Sequence, residues 1–356
     1  MRRFKFVLVP LVVGLLVAFA AGCGNVTLKD TVDSMPVTYD EKVLELLEKT
    51  TVRLLDGVSQ SDIGLTLEGR GAVLSTELSR RVGRNVSDTD VILSMEEMVG
   101  ILDAEISKVE IPELMEPSED DFVNINADFP GLTQDEIAEN IDVIAQIYQD
   151  QVAALAVNSI LDDSRIMSAV SRGAGDYYVT IKDETITLAE MMAVLKHPFS
   201  AIGLVKQKNK AYELTSQYMG SKESVNTKTD AFRHAIWNVV MAKEGWGKKS
   251  AKMAWARDFA TAHEKGKKYV AKDSEMDLHN NAVGLSYYDR YSSRTYRKFL
   301  WWRWESGVNE PSYEQAGNYL KNKANSATFV DEKQSLDAVK KGISRASSDD
   351  LVYIRK

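Results

Sequence analysis

Hydrophobic positions recur every three to four residues along most of this chain, the spacing of helices that bury one face. From Asp40 onward, Val43, Leu44, Leu46, Leu47, Val52, Leu54 and Leu55 predict a first helix. Residues 73–82 predict a second, which Gly83 ends. Ser94 and Glu97 have the spacing of a capping box and open a third, with Met95, Met98, Val99, Ile101 and Leu102 as its apolar stripe. Residues 112–130 are acidic and read as a solvated connector. Thr133 with Glu136 then caps a long run over 134–162, and Ile137, Ile141, Ile144, Ile147, Tyr148, Val152 and Leu155 share one side of it.

The period changes to two over 177–187, which predicts a small β-hairpin. Helical spacing returns over 188–196, capped by Thr187 and Glu190 and stopped by Pro198, with His197 at its C-terminal end. Further helices are predicted over 206–218, from about Asp230, over 248–264 and from about Ser274. Residues 313–341 read as one or two amphipathic helices, and 351–354 as a short closing strand. The fold class is mainly α: an acidic helical domain over 40–175 and a mostly helical domain over 176–356, with the hairpin near the boundary.

Charge sharpens that division. Residues 1–200 carry a net −18 and residues 201–356 a net +10, which together give the chain's −8. A basic half favours anions such as phospholipid headgroups, wall polymer or nucleic acid. Contact between the acidic and basic halves is the alternative use of the same asymmetry.

The first residues form an export signal. Arg2, Arg3 and Lys5 precede an apolar stretch over 6–21 that is too short for a spanning helix. Ala20-Ala21-Gly22-Cys23 follows and resembles the lipobox of bacterial lipoproteins. That resemblance implies cleavage before Cys23, lipid attachment to its sulfur, and residence on the outer side of a membrane, with residues 24–39 as a tether. Cys23 is the chain's one cysteine, so a disulfide within it is excluded.

The candidate chemistry lies in one region. The four histidines are His197, His234, His263 and His279, and the first 196 residues have none. Asp230 stands one helical turn before His234, the right distance to accept its ring N–H, with Asn238 one turn after and Arg233 placed to hold an anion. Glu264 adjoins His263. Asp277, Asn280 and Asn281 accompany His279, although Asp277 and His279 point about 200° apart on a regular helix.

Three motifs in order, Asp-Ala-Phe-Arg-His-Ala-x-Trp-Asn from Asp230, Ala-His-Glu from Ala262, and Met-Asp-Leu-His-Asn-Asn-x-x-Gly from Met276, are similar to a bacterial domain of unknown function. That domain is found in extracytoplasmic and wall-associated proteins, including the ends of some large secreted toxin-like proteins. The resemblance spans residues 188–356 and implies a location and no mechanism.

A hydrolytic metal site needs imidazole and carboxylate ligands and one open position for water. His234, His263, Asp277 and His279 offer such ligands for a divalent metal such as zinc, with Glu264 as general base. A metal-free site would use His263 or His234 as base and Arg233 to hold a phosphate or oxyanion. These readings give a hydrolase of phosphoester or other anionic envelope substrates. The alternatives are a non-enzymatic envelope-binding module, in which Asp230, Asn238, Asn280, Asn281 and the histidines brace a helical bundle, and a toxin-like effector.

Residues 287–304 interleave eight aromatic with five basic residues. That composition fits a core helix with outward arginines, or a surface for membrane, nucleic acid or glycan.

Overall fold

A computed structural model describes residues 40–172, 185–221, 225–266, 271–299, 302–331 and 333–355. The expected export signal, the Cys23 motif and the expected tether lie outside the described residues. So does most of the hairpin expected over 177–187.

The fold is mainly helical. In the first half α1 (Glu41–Leu47), α2 (Leu67–Val82), β1 (Val91–Ser94), α3 (Met95–Ile106), α4 (Glu119–Asp128), α5 (Gln134–Glu139), α6 (Ile141–Asp162) and α7 (Ser164–Arg172) follow one another. Then come β2 (Thr185–Thr187), α8 (Leu188–Lys196), the single turn α9 (Pro198–Ala201), α10 (Leu204–Met219), α11 (Lys228–Glu244), α12 (Lys249–Gly266) and α13 (Ala271–Tyr291). The chain closes with β3 (Ser293–Phe299), β4 (Trp302–Asn309), α14 (Tyr313–Asn325), β5 (Thr328–Asp331), α15 (Leu336–Arg345) and β6 (Val352–Arg355).

Several expectations shift for identifiable reasons. Residues 119–128 form a helix, because Ser118 accepts the Asp121 N–H while Asp121 accepts the Ser118 N–H. The acidic first turn also suits the positive end of the helix dipole. The run over 134–162 breaks at Asn140, whose backbone leaves the helical region between α5 and α6. Thr185–Thr187 pairs antiparallel with β1, nearly a hundred residues back. Residues 293–299 and 302–309 form an antiparallel strand pair, not a core helix. β5, which the helical reading of 313–341 did not foresee, pairs in parallel with β6.

The largest core cluster draws on both halves. Leu74, Leu78, Met98, Leu102 and Ile160 pack with Met241, Trp255, Phe259 and Tyr288. Helix α8 runs through it, buried along most of its length. A second core, of α1, α4, α5 and α6, is formed by first-half residues such as Phe129, Ile137 and Ile144. Lys248 pairs with Asp142 at 2.7 Å and Arg297 with Glu116 at 3.0 Å, so both ion pairs join the basic part of the chain to the acidic part.

The site rests on α11, α12 and α13. Helix α11 is the hub, buried along Ala231, Phe232, Ala235, Ile236, Val239 and Val240. It packs on both neighbours, and most closely on α13.

Candidate functional site

Helix α11 starts one turn earlier than its sequence suggests. Thr227 is the N-cap, its hydroxyl accepting the Asp230 N–H, so Asp230 falls in the first turn. Its Oδ2 accepts the N–H of Asn226, whose φ of +58° is a conformation that asparagine tolerates better than most residues. The Asn226 side chain donates to Asp273 at 3.0 Å and ties this turn to the start of α13. Oδ1 of Asp230 accepts from Arg233 one turn on.

His234 follows Asp230 by four residues on the same face, and the packed helices bring two more carboxylates to it. Its Nε2 lies 3.4 Å from Asp230 Oδ1 and 3.2 Å from Asp277 Oδ1. Its Nδ1 lies 3.7 Å from Glu264 Oε1 and makes no hydrogen bond among the described residues. All four side chains are 5% exposed or less. Burial pushes the imidazole toward its neutral form. The charge of Asp277, the Asp230 bond and the charge of Glu264 outweigh it and hold the pKa above the ordinary value. Burial likewise opposes ionisation of Asp230, but His234, Arg233 and the Asn226 N–H hold its pKa down.

One turn further along α11 and α13, Asn238 donates to Asn281 at 2.8 Å and to the His234 carbonyl at 3.1 Å, locking the two helices together below the acidic cluster. Asn280 faces the other way. Its amide donates to the Val352 carbonyl and its oxygen accepts the Val352 N–H, both at 2.9 Å, which fastens β6 to α13.

The remaining histidines stand apart. His279 meets the Asp350 carbonyl at 2.8 Å, on the side of α13 away from Asp277, as the helical angle requires. His263 has its Nδ1 2.7 Å from Glu190 Oε1 and its ring edge-on to Trp237. Glu190 Oε2 accepts from both the backbone and the hydroxyl of Thr187, and these bonds, with His263, keep this buried carboxyl ionised below its usual range. His197 sits 3.0 Å from Asp258, under Trp255. Of the expected metal ligands, His234 and Asp277 therefore meet, while His263 and His279 are held elsewhere. Glu264 approaches His234 from its Nδ1 side, the position of a group that orients a ring. Asp230, read as a supporting residue, joins the cluster directly. Glu190 and Asp258 were not legible as histidine partners, since each lies more than sixty residues from its histidine.

Oxygens of Asp230 and Asp277 and a nitrogen of His234 all lie within 4.8 Å of one another and could hold a metal ion. With ligand bonds of about 2.0–2.1 Å, the edges of a tetrahedral zinc site measure about 3.3 Å. The two Nε2–carboxylate distances match that edge. Beside this cluster, a cavity of about 250 Å³ opens between α12 and α13, with Asn238 and Asn281 in its wall and Arg257, Thr261 and Asp289 among its other lining residues.

Residues 191–304 match a family described as a domain of unknown function, DUF6973. The matched span contains all three histidine motifs, β3 and the first three residues of β4. No curated protein matches the chain.

Proposed function

We propose that this chain is an envelope-anchored lipoprotein, attached through Cys23, whose C-terminal domain holds a divalent transition metal such as zinc at Asp230, His234 and Asp277. We further propose that it hydrolyses a phosphoester or another anionic envelope substrate. The observation that carries the metal reading is the pair of Nε2–carboxylate distances, 3.4 and 3.2 Å, which fit the edge of a tetrahedral site. When bound, the ion would supply Lewis acidity and lower the pKa of a water ligand. With an ion bound, Nε2 of His234 would be its ligand, and Glu264, 3.7 Å from Nδ1, is the carboxylate placed to orient the ring from the other side. Arg233 and the Asn226 N–H fix the Asp230 carboxylate. The adjoining cavity, one helical turn from His234 and Asp277, offers a substrate a place between Arg257 and the asparagine pair.

A second reading is favoured by a specific observation: all four side chains of the cluster are buried, as in closed structural sites. Here the ion braces α11 against α13 in a non-enzymatic envelope-binding module.

Metal analysis of the chain from residue 24 onward, beside its His234→Gln and Asp277→Asn variants, tests the proposal. One metal per chain, lost in both variants, supports the site. Wild-type protein that takes up no metal, even from added zinc or manganese, overturns it. Hydrolysis of a simple phosphodiester that disappears with the metal selects the enzyme; a bound metal without turnover selects the brace.

A further inference from the structure

The bond between Asn238 and Asn281 leaves two polar atoms over. Asn238 donates both of its amide hydrogens, one to the His234 carbonyl at 3.1 Å and one to the Asn281 oxygen at 2.8 Å. A backbone carbonyl can only accept, so the nitrogen end of Asn238 is fixed, and the oxygen end of Asn281 is fixed in turn. What remains is one acceptor, Asn238 Oδ1, and one donor, the Asn281 amide nitrogen. Neither makes a hydrogen bond among the described residues. Both side chains are buried, and both line the cavity between α12 and α13. Buried polar atoms of this kind are met by a partner, in water or in a ligand.

The rest of the wall narrows the chemistry. Met253, Leu278 and Leu285 are apolar and half-buried. The charged residues, Arg257 and Asp289, stand exposed at the mouth, where they offset each other. Arg257 leans on Asp258 at 3.5 Å and Asp289 pairs with Lys249 at 2.8 Å. The selective contacts are therefore the deep pair, a donor and an acceptor side by side among aliphatic groups. The volume of about 250 Å³ falls below the roughly 300–1,000 Å³ of sites that enclose a whole drug-sized ligand, so the cavity suits one group of a larger molecule.

We propose that this cavity binds a secondary amide, the N–H of which donates to Asn238 Oδ1 while its carbonyl accepts from the Asn281 amide and its alkyl end lies against Leu278 and Leu285. The proposal rests on the reading of this cavity as the place of an envelope substrate, and it narrows that substrate to one bearing an acylamino group. It does not rest on the metal. An amide held by the pair stands one helical turn, about 5.4 Å along α11 and α13, from His234 and Asp277. An ester elsewhere in the same molecule is thereby brought toward the acidic cluster. The same amide chemistry is offered by an acetamido sugar and by a peptide, and the probes below separate the two.

Saturation-transfer NMR on the chain from residue 24 onward, kept in chelator, is the test. The probes are N-acetylglucosamine, glucose and N-acetylalanine methylamide at about 10 mM, enough to report a Kd of about 1 mM. At least one amide should bind and glucose should not, and the amide that binds names the source. Asn281→Asp keeps an oxygen for Asn238 and removes the free donor, so binding should fall about tenfold or more. Ala282→Leu narrows the cavity from its exposed wall, leaves the asparagine pair intact and should cause a similar loss. It carries the test alone if Asn281→Asp does not fold. Binding of neither amide, glucose binding as well as N-acetylglucosamine, or a folded variant of either kind that binds as wild type would overturn the proposal. Metal is absent throughout, so the two readings fail separately. A chain that takes up no metal can still bind the amide, and a metal-binding chain that ignores both amides refutes only this inference.

Discussion

Gly284 of α13 lies against Ala235 of α11 with no room for a side chain between them: a Cβ at Gly284 would overlap the Ala235 carbonyl group. The contact sits two turns from Asp277 on the same face, and Ala235 is the residue after His234. The close crossing of these helices is what brings Asp277 within reach of His234.

Gly284→Ala should therefore cost about 3 kcal/mol or more, because the obstruction is backbone and cannot rotate aside. It should also lower metal uptake, since α13 must move off α11. Gly100→Ala is the matched control. That glycine lies in α3 with nothing near its missing Cβ, and the substitution should stabilise by about 0.5–1 kcal/mol. Urea unfolding midpoints of the two variants check both signs.

His263→Ala should leave metal content unchanged, because its partners are Glu190 and Trp237 and not the acidic cluster. Chelation should lower the Tm of the wild-type chain but not of His234→Gln. With free metal at about a hundredfold its Kd, the bound ion contributes about 2.7 kcal/mol. Thermal melts with and without chelator decide it, and an equal shift in both proteins would remove the ion from that cluster.

Arg70 and Asp150 form a buried ion pair at 2.7 Å, and Asp150 also accepts the Gly64 N–H and the Gln146 amide. Arg70→Leu leaves a buried carboxylate without its cation and should cost about 3–5 kcal/mol. Arg80→Leu removes an exposed arginine from the same helix and should cost under about 1 kcal/mol. Calorimetry on the two variants compares them.

Burial holds the pKa of His197 below its ordinary value, against the pull of Asp258. Below about pH 6.5 the unfolded chain takes up a proton that the folded imidazole refuses, so stability falls as pH drops through that value. Asp258 adds a lower limb. His197 and Lys196 keep it at about 2 despite its burial, so its contribution is present above about pH 4 and fades toward pH 2. His197→Phe should keep the packing on Trp255 and flatten the limb between pH 7 and 5. Unfolding free energies across that range at fixed ionic strength test this, and identical slopes would reject it.

Much of the helical frame was legible because it is written locally. Capping pairs such as Ser94–Glu97 and Thr187–Glu190 set helix starts through bonds spanning three residues, and the structure shows both. Asp230 and His234 share a face by spacing alone. What local pattern could not carry was the meeting of elements. Glu264 and Asp277 converge on His234 only because three helices pack, and Glu190 reaches His263 across 73 residues. The segment over 287–304 misled for a related reason: its aromatic and basic residues fit a helix stripe as readily as a strand, and Leu300 and Trp301, between the two strands, include no glycine or proline as a sequence signal.

The Asn280 clamp ties the acidic cluster's helix to the far end of the chain. The strand it grips is made 72 residues after it. A chain emerging in sequence therefore presents Asp230, His234, Glu264 and Asp277 long before the backbone that pins α13 exists. Removal of residues 352–355 would leave every side chain of the acidic cluster in place on a helix that has lost this anchor.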